Sequence, residues 1–268
     1  MLNNTTIINE LANKGFNNVT ATSVVKNGVT FEGFIYRPEG RNTGVTVYTT
    51  GCKTDSEAIS RCESMFSRPI PDYDNVLDDF DKSKLTARIF AKGNSGSDIA
   101  RPFLDLEICP YYVVSNDDDG ISAFKLNSKL LDFTGMDVNS VIDTALANSF
   151  TDCTVNSIAE VLSELTGMPA STFDGVPLWV ITNASKIGGA INLTNTDALS
   201  DLADKLDSDL YILPSSINEV LALPVNSGTP DILRQMVGEV NSTEVTAEEV
   251  LCENVYRYDR DTKTVAIA

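Results

Sequence analysis

Two short apolar runs on either side of a turn constrain the fold of this chain more than any other feature. The runs are Leu210–Leu213 and Val220–Leu223, and Pro214-Ser215-Ser216 begins the connection between them. Neither run shows the periodicity of a helix, and each is too short to form one. Because Pro, Ser and Asn bound the runs, the pattern predicts two buried strands joined by a tight connection. We expect these strands to contribute four residues to the core: Tyr211, Leu213, Val220 and Leu221.

The N-terminal part carries a local signal for a hairpin. Alternating apolar residues occupy Val19–Val25 and Val29–Tyr36, with Lys26-Asn27-Gly28 between them. Asn and Gly both tolerate positive φ, so this dipeptide favours a tight hairpin turn. With a third run at Val45–Thr49, the pattern predicts an antiparallel meander.

Two Ser/Thr-x-x-Glu motifs predict where helices begin. Thr54 with Glu57, and Ser157 with Glu160, can each exchange hydrogen bonds with the partner's backbone amide. Each motif precedes an apolar stripe at helical spacing. Further helices are expected over residues 2–14, 137–147, 197–206 and 230–240. Further strands are expected at Leu85–Ala91, Phe103–Val114, Ile121–Leu126, Leu178–Thr182, Ala190–Leu193, Val255–Tyr258 and Thr264–Ile267.

These elements predict an α+β protein with mixed, largely antiparallel sheets flanked by amphipathic helices. The rhythm of the sequence changes near residue 150. We therefore expect a strand-rich lobe over residues 1–150 and a helix-flanked sheet over residues 151–268, either as two lobes or within one domain.

The charge balance and the missing residue types exclude several functions. The chain has 38 acidic and 20 basic residues, for a formal net charge of −18, and it contains no histidine. Such a chain should repel nucleic acid and anionic membranes, so neither is predicted as a direct partner. The lack of histidine removes Ser-His and Cys-His catalysis and histidine metal ligation. The N-terminus lacks a signal-peptide pattern and no apolar run is long enough to span a membrane, so we expect a cytoplasmic protein.

The five cysteines are scattered, and no Cys-x-x-Cys pair is present. This spacing predicts neither a disulfide framework nor a structural zinc site. Cys109 lies in an apolar run and is expected in the core. Cys52 follows Gly51 in a loop and is the one cysteine with a reactive-looking position.

Asp105 and Glu107 are the best candidates for chemistry. Two positions apart in the predicted strand Phe103–Val114, they would share one face. Such a pair could bind a hard cation or act as an acid/base pair. The alternative is that one acid points to solvent at a sheet edge, and the apolar character of the rest of the strand favours this alternative. No cofactor is predicted, and no catalytic residue is assigned.

Other motifs match known sites only in their letters. Ser23-Val-Val-Lys26 and Ser122-Ala-Phe-Lys125 fit the Ser-x-x-Lys pattern, but in a strand their Ser and Lys would face opposite sides. Pro230-Asp231 and Asp261-Thr-Lys263 match a metal-dependent nuclease pattern, yet they fall at a helix start and a turn. No Gly-rich phosphate loop is present.

The C-terminal third carries an extended pattern, DLYILPSS…EV…EVN…EEVL…VYxYDR. Its matching positions are Asp209–Ser216, Glu219, Val220, Glu239–Asn241, Glu248–Leu251, Tyr256, Tyr258, Asp259 and Arg260. In these residues the chain resembles an uncharacterised family of domains of unknown function from clostridial gut bacteria. Arg101, Phe103–Leu106 and Leu178–Asn183 extend the resemblance.

The chain departs from the family pattern at three positions. Glu107 replaces a small apolar residue, Asn218 replaces histidine and Cys252 replaces serine. The resemblance implies a shared fold and an origin in bacteria or in a mobile element such as a phage. It implies no activity.

Three functions are compatible with these observations. The first is a non-catalytic accessory or interaction protein with a protein partner. The second is a carboxylate- or Mg²⁺-dependent enzyme that uses Asp105 and Glu107. The third is an acidic decoy that occupies a nucleic-acid-binding protein, with acids clustered at Asp72–Asp81 and Asp117–Asp119. Many acids lie at helix starts and turns, where capping explains them, so the first function is favoured.

Overall fold

The contacts of the chain divide it into two compact units, Met1–Phe80 and Asp81–Ala268. The boundary that we predict near residue 150 falls inside the second unit, and it stays a prediction. The computed structural model describes residues 2–26, 29–41, 43–68, 80–117, 120–173, 175–214 and 216–268. The predicted turn at Asn27-Gly28, most of the acidic run Asp72–Asp81, Asp118-Asp119 and Ser215 lie outside these residues.

The first unit packs two helices with the predicted meander. Its elements are α1 (Asn4–Asn13), β1 (Val19–Lys26), β2 (Val29–Tyr36), β3 (Val45–Tyr48) and α2 (Asp55–Phe66). The strands pair antiparallel in the order β1-β2-β3, so the meander is confirmed. The start of α2 is also confirmed, because the Glu57 amide donates to Thr54 Oγ1 at 3.2 Å and the Thr54 amide donates to Glu57 Oε2 at 3.3 Å. The core contains Ile7, Leu11, Val19, Phe34, Val47, Ala58, Cys62 and Phe66.

The second unit contains two further antiparallel sheets. Its first elements are β4 (Leu85–Ala91), β5 (Arg101–Phe103), β6 (Leu106–Asp117), β7 (Gly120–Lys125), α3 (Ser128–Thr134), α4 (Val138–Thr151), β8 (Cys153–Ser157) and α5 (Ile158–Thr166). They are followed by β9 (Trp179–Asn183), α6 (Thr196–Leu206), β10 (Leu210–Leu213), β11 (Val220–Pro224), α7 (Pro230–Thr243), β12 (Tyr256–Asp259) and β13 (Thr264–Ile267). One sheet has four strands, in which β4, β5 and β7 each pair with β6. The other sheet has six strands in the order β13-β12-β10-β11-β9-β8. The predicted α+β class with largely antiparallel sheets is thus confirmed.

The two apolar runs form the centre of the six-stranded sheet, as predicted. β10 and β11 pair antiparallel, with Leu213 opposite Leu221. Side chains alternate between the two faces of the sheet. Leu213 lies on the face that packs against α7, and the opposite face carries Val220 and contacts α6. Leu213 and Val220 are buried, whereas Tyr211 and Leu221 are only partly buried because α7 alone covers their face incompletely.

Two predicted strands are wrong. The run from residue 103 to 114 is not one strand, because the chain turns back at Leu104-Asp105 between β5 and β6, and Leu104 has φ of 54°. The run Ala190–Leu193 is a buried 3₁₀ turn, Gly189–Thr194. Short apolar runs do not distinguish a strand from a buried turn, since both present only apolar residues to the core.

Candidate functional site

Asp105, the first predicted site residue, lies in the β5–β6 turn and not in a strand. Its Oδ1 accepts a hydrogen bond from the Tyr256 hydroxyl at 2.6 Å, and its Oδ2 accepts one from Asn254 Nδ2 at 2.7 Å. Tyr256 is fully buried in β12 of the six-stranded sheet. The carboxylate therefore links the turn of the four-stranded sheet to the end of the six-stranded sheet, and both of its oxygens bind neutral donors.

Glu107, the second predicted site residue, organises a loop instead of pairing with Asp105. Its Oε1 accepts from the Ser95 amide at 2.7 Å, within the Gly/Ser loop between β4 and β5. Lys125 donates to the carbonyl oxygen of the same residue, Ser95. Burial raises the pKa of Glu107, but hydrogen bonds from Ser95 and from the Gly93 backbone outweigh it, so the net pKa is lowered. The structure thus gives the two acids separate partners. Within the ranges that the structure describes, no group of three or more Cys, Asp or Glu side chains could hold a metal ion.

The other sequence motifs occupy the elements that were predicted for them. Ser23 and Lys26 lie in β1, and Ser122 and Lys125 lie in β7. Pro230 begins α7. The strand and helix positions keep each motif apart from the geometry that its chemistry requires.

The thiols of the second unit are not activated. Burial raises the pKa of Cys109 and of Cys153 to about 11, and it also raises the pKa of Cys252. Cys62 in the first unit has a pKa raised to about 11 by burial and by the neighbouring Cys52. A thiol is a nucleophile as its thiolate, so these four cysteines are weak nucleophiles at neutral pH.

A cluster of polar side chains that the sequence patterns do not indicate lies between β10 and β11. The Asn218 side chain accepts from the Gly188 amide at 3.1 Å and donates to Glu249 Oε1 at 3.1 Å. Burial raises the pKa of Glu219, the hydrogen bond to Ser216 lowers it, and the charge of Glu249 raises it, with a net increase. The signal in the sequence was the polar Ser-Ile-Asn-Glu stretch between two strands. These side chains fix the connection between β10 and β11 to its surroundings.

Helix α7 presents an apolar face that the described chain does not cover. Leu233 and Val237 face the sheet and are 4% and 3% exposed. Ile232, Met236 and Val240, each four residues from the next, are 59%, 53% and 42% exposed. At this spacing they form one continuous stripe along the helix. We call Ile232, Met236 and Val240 the α7 stripe.

The α7 stripe lies in an acidic part of the chain. Residues 230–254 contain one basic residue, Arg234, and six acidic ones: Asp231, Glu239, Glu244, Glu248, Glu249 and Glu253. Arg234 donates to Asp231 Oδ1 at 3.0 Å and to the Ala268 carbonyl oxygen at 3.2 Å. The single positive charge of this segment is therefore already engaged.

Comparison with known proteins places the chain in a family without assigning it an activity. In the described part of the chain, no helix is both long enough and apolar enough to cross a membrane. Neither the curated proteins nor the solved structures contain a significant match. Residues 98–260, more than half of the chain, match the model of a family of unknown function (DUF5688), and the chain belongs to that family.

Proposed function

We propose that this chain is a non-catalytic accessory protein that binds a protein partner through the α7 stripe. The observation that carries the proposal is the exposure of Ile232, Met236 and Val240 on a helix whose adjoining face is packed on the sheet. Single exposed apolar residues are ordinary on protein surfaces, whereas a continuous row marks an interaction site. Methionine in such a row adapts to different apolar partners.

The charge around the α7 stripe selects the chemistry of the partner. A partner that covers the stripe approaches a segment of the chain with six acidic residues and one arginine that already pairs with Asp231. A basic amphipathic helix meets both requirements, because its apolar side packs on the stripe while Lys and Arg reach the acidic rim. Ridges of residues spaced i, i+4 also pack into the grooves of a second helix, which is the commonest class of helix–helix packing.

The contacts of the predicted site residues support a non-catalytic role. Asp105 and Glu107 are engaged by Tyr256, Asn254 and Ser95, within a network that holds the fold together. An enzyme would instead be expected to direct such carboxylates into an open cleft. The acidic decoy also explains the charge, but it gives no role to the apolar row.

The test is binding of a fluorescein-labelled synthetic helix with leucine on one side and lysine on the other, followed by fluorescence anisotropy. Met236→Gln should raise Kd about fivefold, since roughly half of the burial energy of a methionine side chain, about 1 kcal/mol, is lost. The matched control is Met168→Gln, because Met168 is similarly exposed at 46% but lies after α5. The control should bind as the unchanged protein does.

Salt separates the proposal from the decoy. Raising the salt concentration screens the acidic residues and should weaken peptide binding to the unchanged protein and to Met236→Gln alike. The ratio of their Kd values should persist, since apolar burial is not screened. The proposal is wrong if the peptide does not bind, or if Met236→Gln and Met168→Gln behave alike. Peptide binding that is lost at high salt and is unchanged by Met236→Gln would instead support the decoy.

A further inference from the structure

A cavity of about 460 Å³ lies between helix α6 and the edge of the six-stranded sheet. Strands β8 and β9 provide one wall through Val155 and Trp179, which point to the same face of the sheet. Leu202 of α6 and Phe150 of α4 provide the other apolar surfaces. The volume, and walls that combine apolar with polar side chains, are those of a site for a small organic molecule.

The mouth of the cavity is charged. Asp197, Asp201 and Lys205 are each four residues apart, so they form a row along α6. The row carries two negative charges and one positive charge. Hydrogen bonds from Ser157 lower the pKa of nearby Glu160 most, and the positive charge of Lys205 lowers it further. An anionic ligand would therefore meet more repulsion than attraction at this mouth.

The indole of Trp179 is already occupied by a cation. Lys205 Nζ lies over the Trp179 ring, 4.1 Å from its centroid. The face of an indole ring attracts an ammonium group because of its negative quadrupole. Lys205 is exposed and lies in the last turn of α6, so its flexible side chain can leave the ring without disturbing the fold. The ammonium of Lys205 thus stands where the charged group of a ligand would bind.

We propose that this cavity binds a small organic cation, an ammonium group carried on an apolar body. The ligand's ammonium replaces that of Lys205 over Trp179, with Asp197 and Asp201 balancing its charge. The apolar body packs against Phe150, Val155 and Leu202. The site is on the opposite face of the sheet from α7, and the proposal does not rest on the α7 stripe.

Trp179 is the only tryptophan in the chain, so a change of tryptophan fluorescence in the folded protein reports on the surroundings of this one residue. The probes are three molecules with the same phenyl body and different charge: 2-phenylethylammonium, 2-phenylethanol and 3-phenylpropionate. The ammonium should produce a saturable change in Trp179 fluorescence with Kd on the order of millimolar, as expected for a ligand of this size. The alcohol should bind more weakly and the carboxylate weakest. Equal binding of the three, or preference for the carboxylate, would overturn the proposal.

Lys205→Gln provides the more specific test, because it removes the resident ammonium. Binding of 2-phenylethylammonium should become about two- to fivefold tighter, the value of an exposed cation–π contact. Lys205→Arg keeps a cation over the ring and should give no such gain. Lys129→Gln, an exposed lysine outside the cavity, is the matched control for the loss of one positive charge and should leave Kd unchanged.

Asp201→Asn should weaken binding of the same probe, and far-UV circular dichroism should show that each variant is folded. The proposal fails if Lys205→Gln binds the ammonium no more tightly than the unchanged protein does. It also fails if Lys129→Gln gives the same gain as Lys205→Gln, because general charge and not the indole would then control binding.

Discussion

Deleting the hydroxyl of Tyr256 tests whether Asp105 is a structural link. Tyr256→Phe keeps the ring, which is fully buried, and removes only the donor that lies 2.6 Å from Asp105 Oδ1. A hydrogen bond to a charged group contributes about 1.5–3 kcal/mol. The Cys252 thiol, 3.5 Å from the same hydroxyl, adds little because a thiol is a weak partner. The expected loss in the free energy of unfolding is therefore about 2 kcal/mol, or about 4–8 °C in the thermal midpoint of a unit of this size.

Tyr258→Phe is the matched control for this prediction. Tyr258 lies two residues away in β12 and is equally buried, but its hydroxyl donates only to the Thr196 carbonyl oxygen at 3.4 Å. A long bond to a neutral acceptor should contribute less than about 1 kcal/mol. The difference in unfolding free energy between the two variants then separates the contribution of the charged acceptor from the general cost of losing a buried tyrosine hydroxyl.

Urea denaturation followed by Trp179 fluorescence is a suitable assay, since this tryptophan lies in the same unit as Asp105. A double-mutant cycle with Asp105→Asn and Tyr256→Phe should give a coupling energy of about 1.5–3 kcal/mol. If Tyr256→Phe lowers the free energy of unfolding no more than Tyr258→Phe does, Asp105 is not a structural link. If Asp105→Asn leaves stability unchanged and abolishes heat of Mg²⁺ binding in calorimetry, Asp105 is a metal ligand, as the enzyme hypothesis requires.

Two further predictions concern the strands at the centre of the sheet. Leu213→Ala removes a side chain that packs against Leu223, Leu233 and Val255, and it should cost about 2–5 kcal/mol; an unchanged thermal midpoint would contradict its burial. Glu219→Gln should raise the thermal midpoint at neutral pH, because the raised pKa means that folding disfavours the charged form. This gain should disappear as the pH falls below the pKa of the unfolded chain, about 4.3, where both states hold the proton. A thermal midpoint lowered at neutral pH by Glu219→Gln would show that the charged carboxylate is stabilising.

Local sequence patterns are enough to predict the elements whose causes lie within a few residues. Thr54 and Glu57 cap α2 as predicted, because a side chain bonds to an amide three residues away. The same local bonding begins α5 at Ser157 and Glu160. The strand β10 was predicted with its observed bounds, since Pro and Ser end the apolar run at the point where the chain must turn.

Which apolar and charged residues remain available for binding depends on how the helices and sheets pack. The sequence of α7 shows one broad apolar face, but the packing of Leu233 and Val237 on the sheet leaves Met236 outside. Similarly, no local pattern indicates that Lys205 reaches Trp179, or that Asp105 meets Tyr256 across 151 residues of chain. Capping and turn formation depend on bonds between near neighbours, which are the same in any fold. Burial, cavities and distant ion or hydrogen-bond partners depend on how the sheets and helices pack, and the energy of that packing is shared over the whole chain.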